Sequence, residues 1–211
     1  MTQSPPAMKW SLLLLFTIFF SYCKENNYYK QNVKPFSIVI QPLGGIDNWL
    51  LDSIGDQLKA VTNAFIIIRS NKPLPGSSYG PSRHRFIADS ILGFLSLQSI
   101  PTGAKILGIT NRDIETKTGN HPNWGVMGLA YCPGNSMIVS TFRVKEYPRL
   151  RKRFVQHTLI LCLHELGHSY SLDHCPDKTC IMQDAKGKSR LDFSKHYCSV
   201  CGQKLVKAGL L

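Results

Sequence analysis

The sequence predicts an α+β fold in which helices pack on a mixed, twisted β-sheet. Short β-branched apolar runs of strand length alternate with longer segments whose apolar residues recur at helical spacing. The length of 211 residues, with 43% hydrophobic and 18% charged residues, suits one compact domain with a hydrophobic core. After Tyr170 the chain becomes polar and rich in cysteine, so we expect something other than a core of its own to hold this part.

The elements are expected in the order β-α-β-α-β-β-β-α. A buried strand at 36–41 ends before Pro42 and a glycine pair, and Asp47 can cap the first helix, whose apolar positions extend to Val61. The next segments are a strand at 64–69, a loop at 70–82, a helix at 85–99, and strands at 105–110, 126–131 and 137–142. Pro148 is well placed to open a long last helix that runs to about Tyr170.

The N-terminus has the pattern of an export signal. Lys9 precedes an uncharged, mostly apolar run at 10–20, which is too short for a bilayer span of about 20 residues. Cys23 follows, as in a bacterial lipoprotein signal, where the cysteine is lipidated and becomes the mature N-terminus. This interpretation gives a signal peptide at 1–22, with Met8 as its start, and a tether at 23–35. We therefore expect an exported protein, attached to the membrane through Cys23, with its domain at 36–211.

Two other interpretations of the N-terminus remain open. Tyr22 is bulky where lipoprotein signals prefer a small residue before the cysteine. The segment could instead be a plain signal peptide cleaved nearby, which would leave a periplasmic or secreted protein, or a disordered apolar N-terminus.

The net charge of +12 raises the question of acidic partners. The basic residues are scattered, with one tight cluster at Arg149 and 151–153, and no nucleic-acid recognition motif accompanies them. We interpret the cluster as a solvated helix face and expect no nucleic-acid partner and a monomer.

A metal-binding motif lies in the last predicted helix. His164 and His168 are four residues apart, so both imidazoles project from one helix face and can chelate a tetrahedral ion such as Zn²⁺. Glu165 is positioned to take a proton from metal-bound water. His174 can complete a three-histidine set only if the helix ends and the chain turns back. A bare H-E-x-x-H also occurs by chance, but the helical context and the third histidine predict a catalytic zinc.

The motif from His164 to His174 resembles the metzincin signature H-E-x-x-H-x-x-G-x-x-H. The residues that follow, Cys175, Cys180 and Met182 and then Cys198-x2-Cys201, resemble the archaemetzincins, small zinc-dependent metallopeptidases. Upstream segments at 105–110, 113–114, 128–130 and 139–143 look like that family's blocks in order, so the resemblance spans 36–201.

The resemblance implies a compact metzincin-like domain with an active-site helix and a small zinc-bound C-terminal segment at 175–201. It also implies that Met182 forms the Met-turn beneath the zinc ligands, and that 126–130 is an edge strand above the cleft, able to pair with an extended substrate. One position departs from the family pattern. Ser171 stands where the motif has glycine, at a turn that we expect to need left-handed backbone.

The last four cysteines form two close pairs, Cys175 with Cys180 and Cys198 with Cys201. Two such pairs suit a closed structural zinc site, which would supply folding energy to the C-terminal segment. Disulfides are the rival interpretation, because an exported protein meets an oxidising compartment. With the catalytic ion, we expect two Zn²⁺ per chain.

Three further residues of ligand type are not expected to bind metal. Cys162 is expected to be buried packing inside the helix, and His157 and His196 to be surface or packed histidines. The sequence as a whole predicts zinc-dependent hydrolysis of peptide bonds, with a peptide or protein substrate. The alternative is a catalytically silent, zinc-stabilised binding module on the cell surface.

Overall fold

The computed structural model describes residues 36–144, 150–186 and 191–211, together with Met1. The predicted signal at 1–22, the lipidation site Cys23, the tether at 23–35 and Pro148 lie outside the described residues. Among the residues that are described, no helix is long and apolar enough to span a membrane.

Nine strands and four helices make up the described part of the chain. The helices are α1 (Asn48–Val61), α2 (Ala88–Ser96), α3 (Arg151–Ser169) and α4 (Ser199–Lys207). The strands are β1 (Ser37–Leu43), β2 (Phe65–Ile68), β3 (Tyr79–Gly80), β4 (Arg85–Ile87), β5 (Lys105–Thr110), β6 (Ile114–Thr118), β7 (His121–Val126), β8 (Gly128–Ala130) and β9 (Ser136–Ser140).

The main sheet has five strands in the order β2-β1-β5-β9-β8. The first four run parallel, and β8 joins β9 antiparallel at one edge. This confirms the predicted mixed sheet. It also confirms the predicted edge strand over residues 128–130, while residue 126 belongs to β7 in the second sheet.

Helices cover both faces of the main sheet. Alternate residues of β1 point to opposite sides: Ile38 and Ile40 join a core with α1 and α3, and Val39 joins a second core with α2. Gly108 on β5 gives α2 room, because a Cβ there would lie 2.8 Å from side-chain carbons of Leu95 and Ile138. The helix α3, buried along most of its length, packs between the sheet and the C-terminal segment.

The second sheet, in the order β3-β4-β6-β7, was largely missed by the sequence analysis. The helix predicted at 85–99 begins with strand β4, because the Phe86 backbone N–H bonds the Asp113 carbonyl at 2.9 Å and the pair extends along β6. The helix proper starts at Ala88. Part of the predicted loop at 70–82 forms a short 3-10 turn and β3.

The C-terminal helix α4 was also missed. Its apolar anchors Cys201 and Leu205 are buried, and with Leu210 they join the core beside α3. The C-terminal segment therefore shares the main core instead of lacking one.

Candidate metal centres and active-site cleft

Three histidines meet where α3 ends; we call His164, His168 and His174 the histidine centre. One ring nitrogen from each lies within 4.8 Å of the other two. The Nε2 atoms of His164 and His168 are 3.1 Å apart. Two ligands about 2.0–2.1 Å from a tetrahedral ion would be about 3.3 Å apart, so the spacing suits zinc.

The turn that brings His174 back is closed by backbone hydrogen bonds. The N–H of Leu172 donates to the Gly167 carbonyl (3.1 Å) and that of Ser171 to the His168 carbonyl (2.9 Å), which together form a Schellman motif. Ser171 occupies its left-handed position with φ of 66°. The left-handed backbone conformation expected at Ser171, where the family motif has glycine, is thus present.

Backbone carbonyls orient the first two imidazoles. The Nδ1–H of His164 donates to Ile181 O and that of His168 to Leu172 O, each at 2.7 Å. Both Nε2 atoms therefore carry lone pairs and face each other, an arrangement that repels unless a cation lies between them. Burial lowers the pKa of His164 to about 4 and also lowers that of His168, so both are neutral at pH 7. The donor set and its electrostatics fit a divalent zinc ion.

Glu165 lies beneath the edge strand β8. Its side chain is buried, and this burial raises the pKa of the carboxyl to about 8; a cation beside it would act in the opposite direction. A Cβ on Gly128 would lie 2.7 Å from Cδ of Glu165. Only glycine at this position lets the strand approach the carboxyl so closely.

Met182 is fully buried against α3. Its side chain contacts Gly167, where a Cβ would lie 3.1 Å from the Met182 Cε. Gly167 immediately precedes His168, so Met182 lies under the helical turn that carries the second histidine.

The four C-terminal cysteines also come together; we call Cys175, Cys180, Cys198 and Cys201 the cysteine centre. Their sulfur atoms all lie within 4.8 Å of one another, and Cys175 Sγ is 3.7 Å from Cys198 Sγ. A disulfide requires about 2.05 Å, whereas two thiolates about 2.3 Å from a tetrahedral zinc would be about 3.8 Å apart. The arrangement fits a closed four-thiolate metal site.

The thiols of the cysteine centre differ in acidity. The backbone N–H of Cys201 lowers the pKa of Cys198 to about 7. Burial raises the pKa values of Cys180 and Cys201. A bound cation would favour the thiolate form of all four.

A cleft of about 790 Å³ runs past the histidine centre. Residues 124–130 of β7 and β8 line one side, and residues of α3, including Glu165 and two of the histidines, line the other. This geometry is that of an extended groove with a metal-binding group and a buried carboxyl at its base.

The sequence model of peptidase family M54 matches residues 37–207. The chain belongs to peptidase family M54. It is 28% identical to the archaemetzincin of Thermococcus kodakarensis, over 81% of this chain and 95% of that protein. It is 26% identical to that of Haloquadratum walsbyi, over 79% of this chain and 97% of the relative. It is therefore a zinc metallopeptidase that acts on peptide or protein substrates.

Two solved archaemetzincins share the fold. The Methanopyrus kandleri structure has a TM-score of 0.70 at 22% identity and covers 83% of this chain and 95% of its own. The Archaeoglobus fulgidus structure has a TM-score of 0.69 at 24% identity and covers 80% of this chain and 99% of its own. The predicted metzincin-like α+β fold is confirmed.

The short run 180–182 links the two centres of this M54 chain. Cys180 belongs to the cysteine centre, the carbonyl of Ile181 orients His164, and Met182 packs under α3. Tyr197 adds a second link, since its hydroxyl donates to Leu163 O at 2.6 Å, next to His164.

Sequence reasoning missed the parts played by Tyr197, Gly128 and Gly167. A glycine inside a strand is a weak signal of close approach, and it could have pointed to Gly128. The residues set aside as packing or surface lie where expected. His157 is buried, with Nε2 3.2 Å from Asp192 Oδ1; Cys162 is buried; and His196 is exposed.

Proposed function

We propose that this M54 peptidase hydrolyses peptide bonds with Glu165 as general base and the histidine centre as ligands of the catalytic zinc. The observation that carries the proposal is the convergence of three imidazoles in the same cleft as a buried carboxyl. When bound, zinc is a Lewis acid that polarises the scissile carbonyl and lowers the pKa of the attacking water to about 7.

The chain's own residues supply the rest of the mechanism. Glu165 Oε accepts a proton from the attacking water and then hands it to the leaving amine. The free edge of β8 pairs with the extended substrate through main-chain hydrogen bonds and holds its scissile bond over the histidine centre. Burial of Glu165 under Gly128 keeps its carboxyl in one position.

We further propose that the cysteine centre binds a structural zinc and that Met182 is the floor beneath the histidine centre. The four sulfur atoms, all within 4.8 Å of one another, support the former. The buried contact of Met182 with Gly167 supports the latter. The proposal implies two zinc ions per chain.

The test compares wild type with Glu165→Gln, which preserves shape and removes the basic oxygen. We expect the variant to lose cleavage of a peptide library by at least about 10²-fold, the usual range for a general base. Metal analysis should find the same zinc content in both proteins. Equal digestion of the library by both proteins would contradict the proposal and favour the silent zinc-stabilised binding module instead.

We also propose, from the N-terminal sequence, that the chain is exported and attached to the membrane through lipidated Cys23. In a bacterial host, wild type should incorporate a fatty-acid label and sediment with membranes, whereas Cys23→Ser should do neither. Cys132→Ser, which changes an exposed cysteine, is the matched control. Equal labelling of wild type and Cys23→Ser would contradict lipidation.

A further inference from the structure

Arg143 follows β9 and lies in the wall of the cleft. Its guanidinium is fixed along one edge by Asp113: Nε lies 2.8 Å from Oδ1 and Nη2 lies 3.0 Å from Oδ2. Asp113 is itself held by Arg85, whose Nε is 2.7 Å from Oδ2. A two-point contact of this kind sets both the position and the plane of the Arg143 side chain.

The opposite edge of the guanidinium remains open. Among the residues that the structure describes, Nη1 of Arg143 has neither a hydrogen bond nor an ion pair, and the side chain is 34% exposed. Gly125 makes room for it, because a Cβ there would lie 2.7 Å from the Arg143 Cζ. A rigid cation with free N–H donors beside an edge strand is suited to bind a carboxylate.

The charges around Arg143 are compatible with an anionic ligand. Asp113 forms ion pairs with both arginines, and buried Glu115 forms one with Arg85, 3.7 Å from its Nη1. The cleft residues nearest in sequence to Gly125 and to β6 are uncharged: Thr116, Thr118, Trp124, Val126 and Met127. The acidic cleft residues Glu165 and Asp184 lie instead beside the histidine centre.

Two glycines place Arg143 along the cleft, and they lie on either side of the bend at Met127, where β7 of the second sheet ends and β8 of the main sheet begins. Gly128 contacts Glu165, and Gly125 contacts Arg143. Three residues of chain span at most about 10 Å, so Arg143 lies within about three substrate residues of the scissile bond. Antiparallel pairing is the more stable arrangement, and it places the earlier residue, Gly125, on the C-terminal side of the substrate.

We infer that Arg143 is a specificity-determining residue that binds a substrate carboxylate two to three residues after the scissile bond. The carboxylate can be an acidic side chain or the C-terminus of a short peptide. This inference rests on the proposed peptidase function.

The experiment uses a neutral peptide that the enzyme cleaves, with Gln replaced by Glu at each of three positions on either side of the cleaved bond. A second pair of peptides compares a free C-terminal carboxylate with the C-terminal amide. This pair distinguishes binding of the peptide C-terminus from binding of an acidic side chain. For wild type, we expect a peptide with a carboxylate two or three residues after the cleaved bond to have a kcat/KM about tenfold higher than its neutral counterpart. The difference should lie mainly in KM.

Arg143→Gln should abolish this preference while the neutral peptide is still cleaved. Arg112→Gln, an equal charge change at an exposed residue outside the cleft, should retain it. Should Arg143→Gln fail to fold, wild type provides a second measurement: its preference for Glu over Gln should shrink as salt rises, because salt screens a half-exposed ion pair.

Three results would overturn the inference: no preference in wild type, a preference that survives Arg143→Gln, or a preference on the N-terminal side of the bond. A salt-independent preference would also count against it. If wild type cleaves no peptide of any series, the proposed function fails instead.

Discussion

The histidine centre and the cysteine centre are adjacent in sequence, at the bond between His174 and Cys175, but they are built differently. The histidine centre takes two of its residues from one turn of a buried helix, leaves His174 exposed and opens to a cleft. The cysteine centre takes its residues from loops and the start of a short helix, and two of its four thiols are buried. An open set of three ligands suits catalysis, and a closed set of four suits structure.

The core around α3 positions the histidine centre, whereas the segment at 175–201 depends on the cysteine centre as well as on its buried anchors in the core. The segment in turn carries Ile181 and Met182 to the underside of α3. Damage should therefore spread from the cysteine centre to the histidine centre, and much less in the opposite direction.

The largest effect is expected from breaking the cysteine centre. The double variant Cys198→Ser, Cys201→Ser should lose one zinc per chain and be destabilised by more than about 3 kcal/mol, because a zinc held by the four thiolates would supply folding energy to residues 175–211. Cleavage should be lost as well, since the carbonyl of Ile181 no longer orients His164. Zinc analysis, thermal unfolding and peptide cleavage would measure these effects.

Two controls test the direction of this coupling. His168→Ala should lose the other zinc and all cleavage while the cysteine centre keeps its metal. Cys132→Ser should leave zinc content and unfolding unchanged. A double serine variant with wild-type stability and cleavage would show that the C-terminal segment needs no metal.

A smaller effect, confined to Glu165 in the active-site cleft, is expected from Gly128→Ala. The added Cβ would lie 2.7 Å from Cδ of Glu165, so the carboxyl must move. A shift of about 1 Å lowers kcat/KM by about 100-fold, with zinc content unchanged. Gly93→Ala is the control, because a Cβ at Gly93 on α2 meets no atom within 4 Å. Unchanged kcat/KM in Gly128→Ala would mean that the strand does not fix Glu165.

Tyr197→Phe should produce a still smaller effect on both centres. It removes the hydrogen bond from the Tyr197 hydroxyl to Leu163 O, 2.6 Å long in the structure. We expect a loss of about 1 kcal/mol, or about 3 °C in Tm, with a several-fold decrease in kcat. Tyr131→Phe, at an exposed position, should change neither quantity. A fall in kcat without a change in Tm would indicate that Tyr197 acts on the cleft alone.

The residues that could be predicted from sequence are those whose placement depends on local periodicity. The spacing of His164 and His168 on a helix fixes their common face, and β-branched runs such as 64–69 identify strands of the main sheet. Strand β4 could not be predicted and Gly128 gave only a weak signal, because each depends on a partner distant in sequence, Ile114 and Glu165 respectively. Helix α4 was missed because it is short and polar and is held by few buried anchors.

The smallest effect, and the only stabilising one, is expected at the turn between the two centres. Ser171 has φ of 66°, a conformation that costs a non-glycine residue about 1 kcal/mol or more. Ser171→Gly removes that strain but increases the entropy of the unfolded chain, so the net gain should be about 0.5 kcal/mol, or 1–2 °C in Tm. Lys178→Gly is the control, since Lys178 is exposed and lies outside the positive-φ region, and it should lower Tm.

Both variants should be measured with zinc present, because the ion bridging His168 and His174 would add its own constraint to the turn. If the Tm of Ser171→Gly is below that of wild type, the entropy gained by the unfolded chain outweighs any strain released at residue 171. That result would show that the metal centres hold this turn so firmly that glycine does not release the strain.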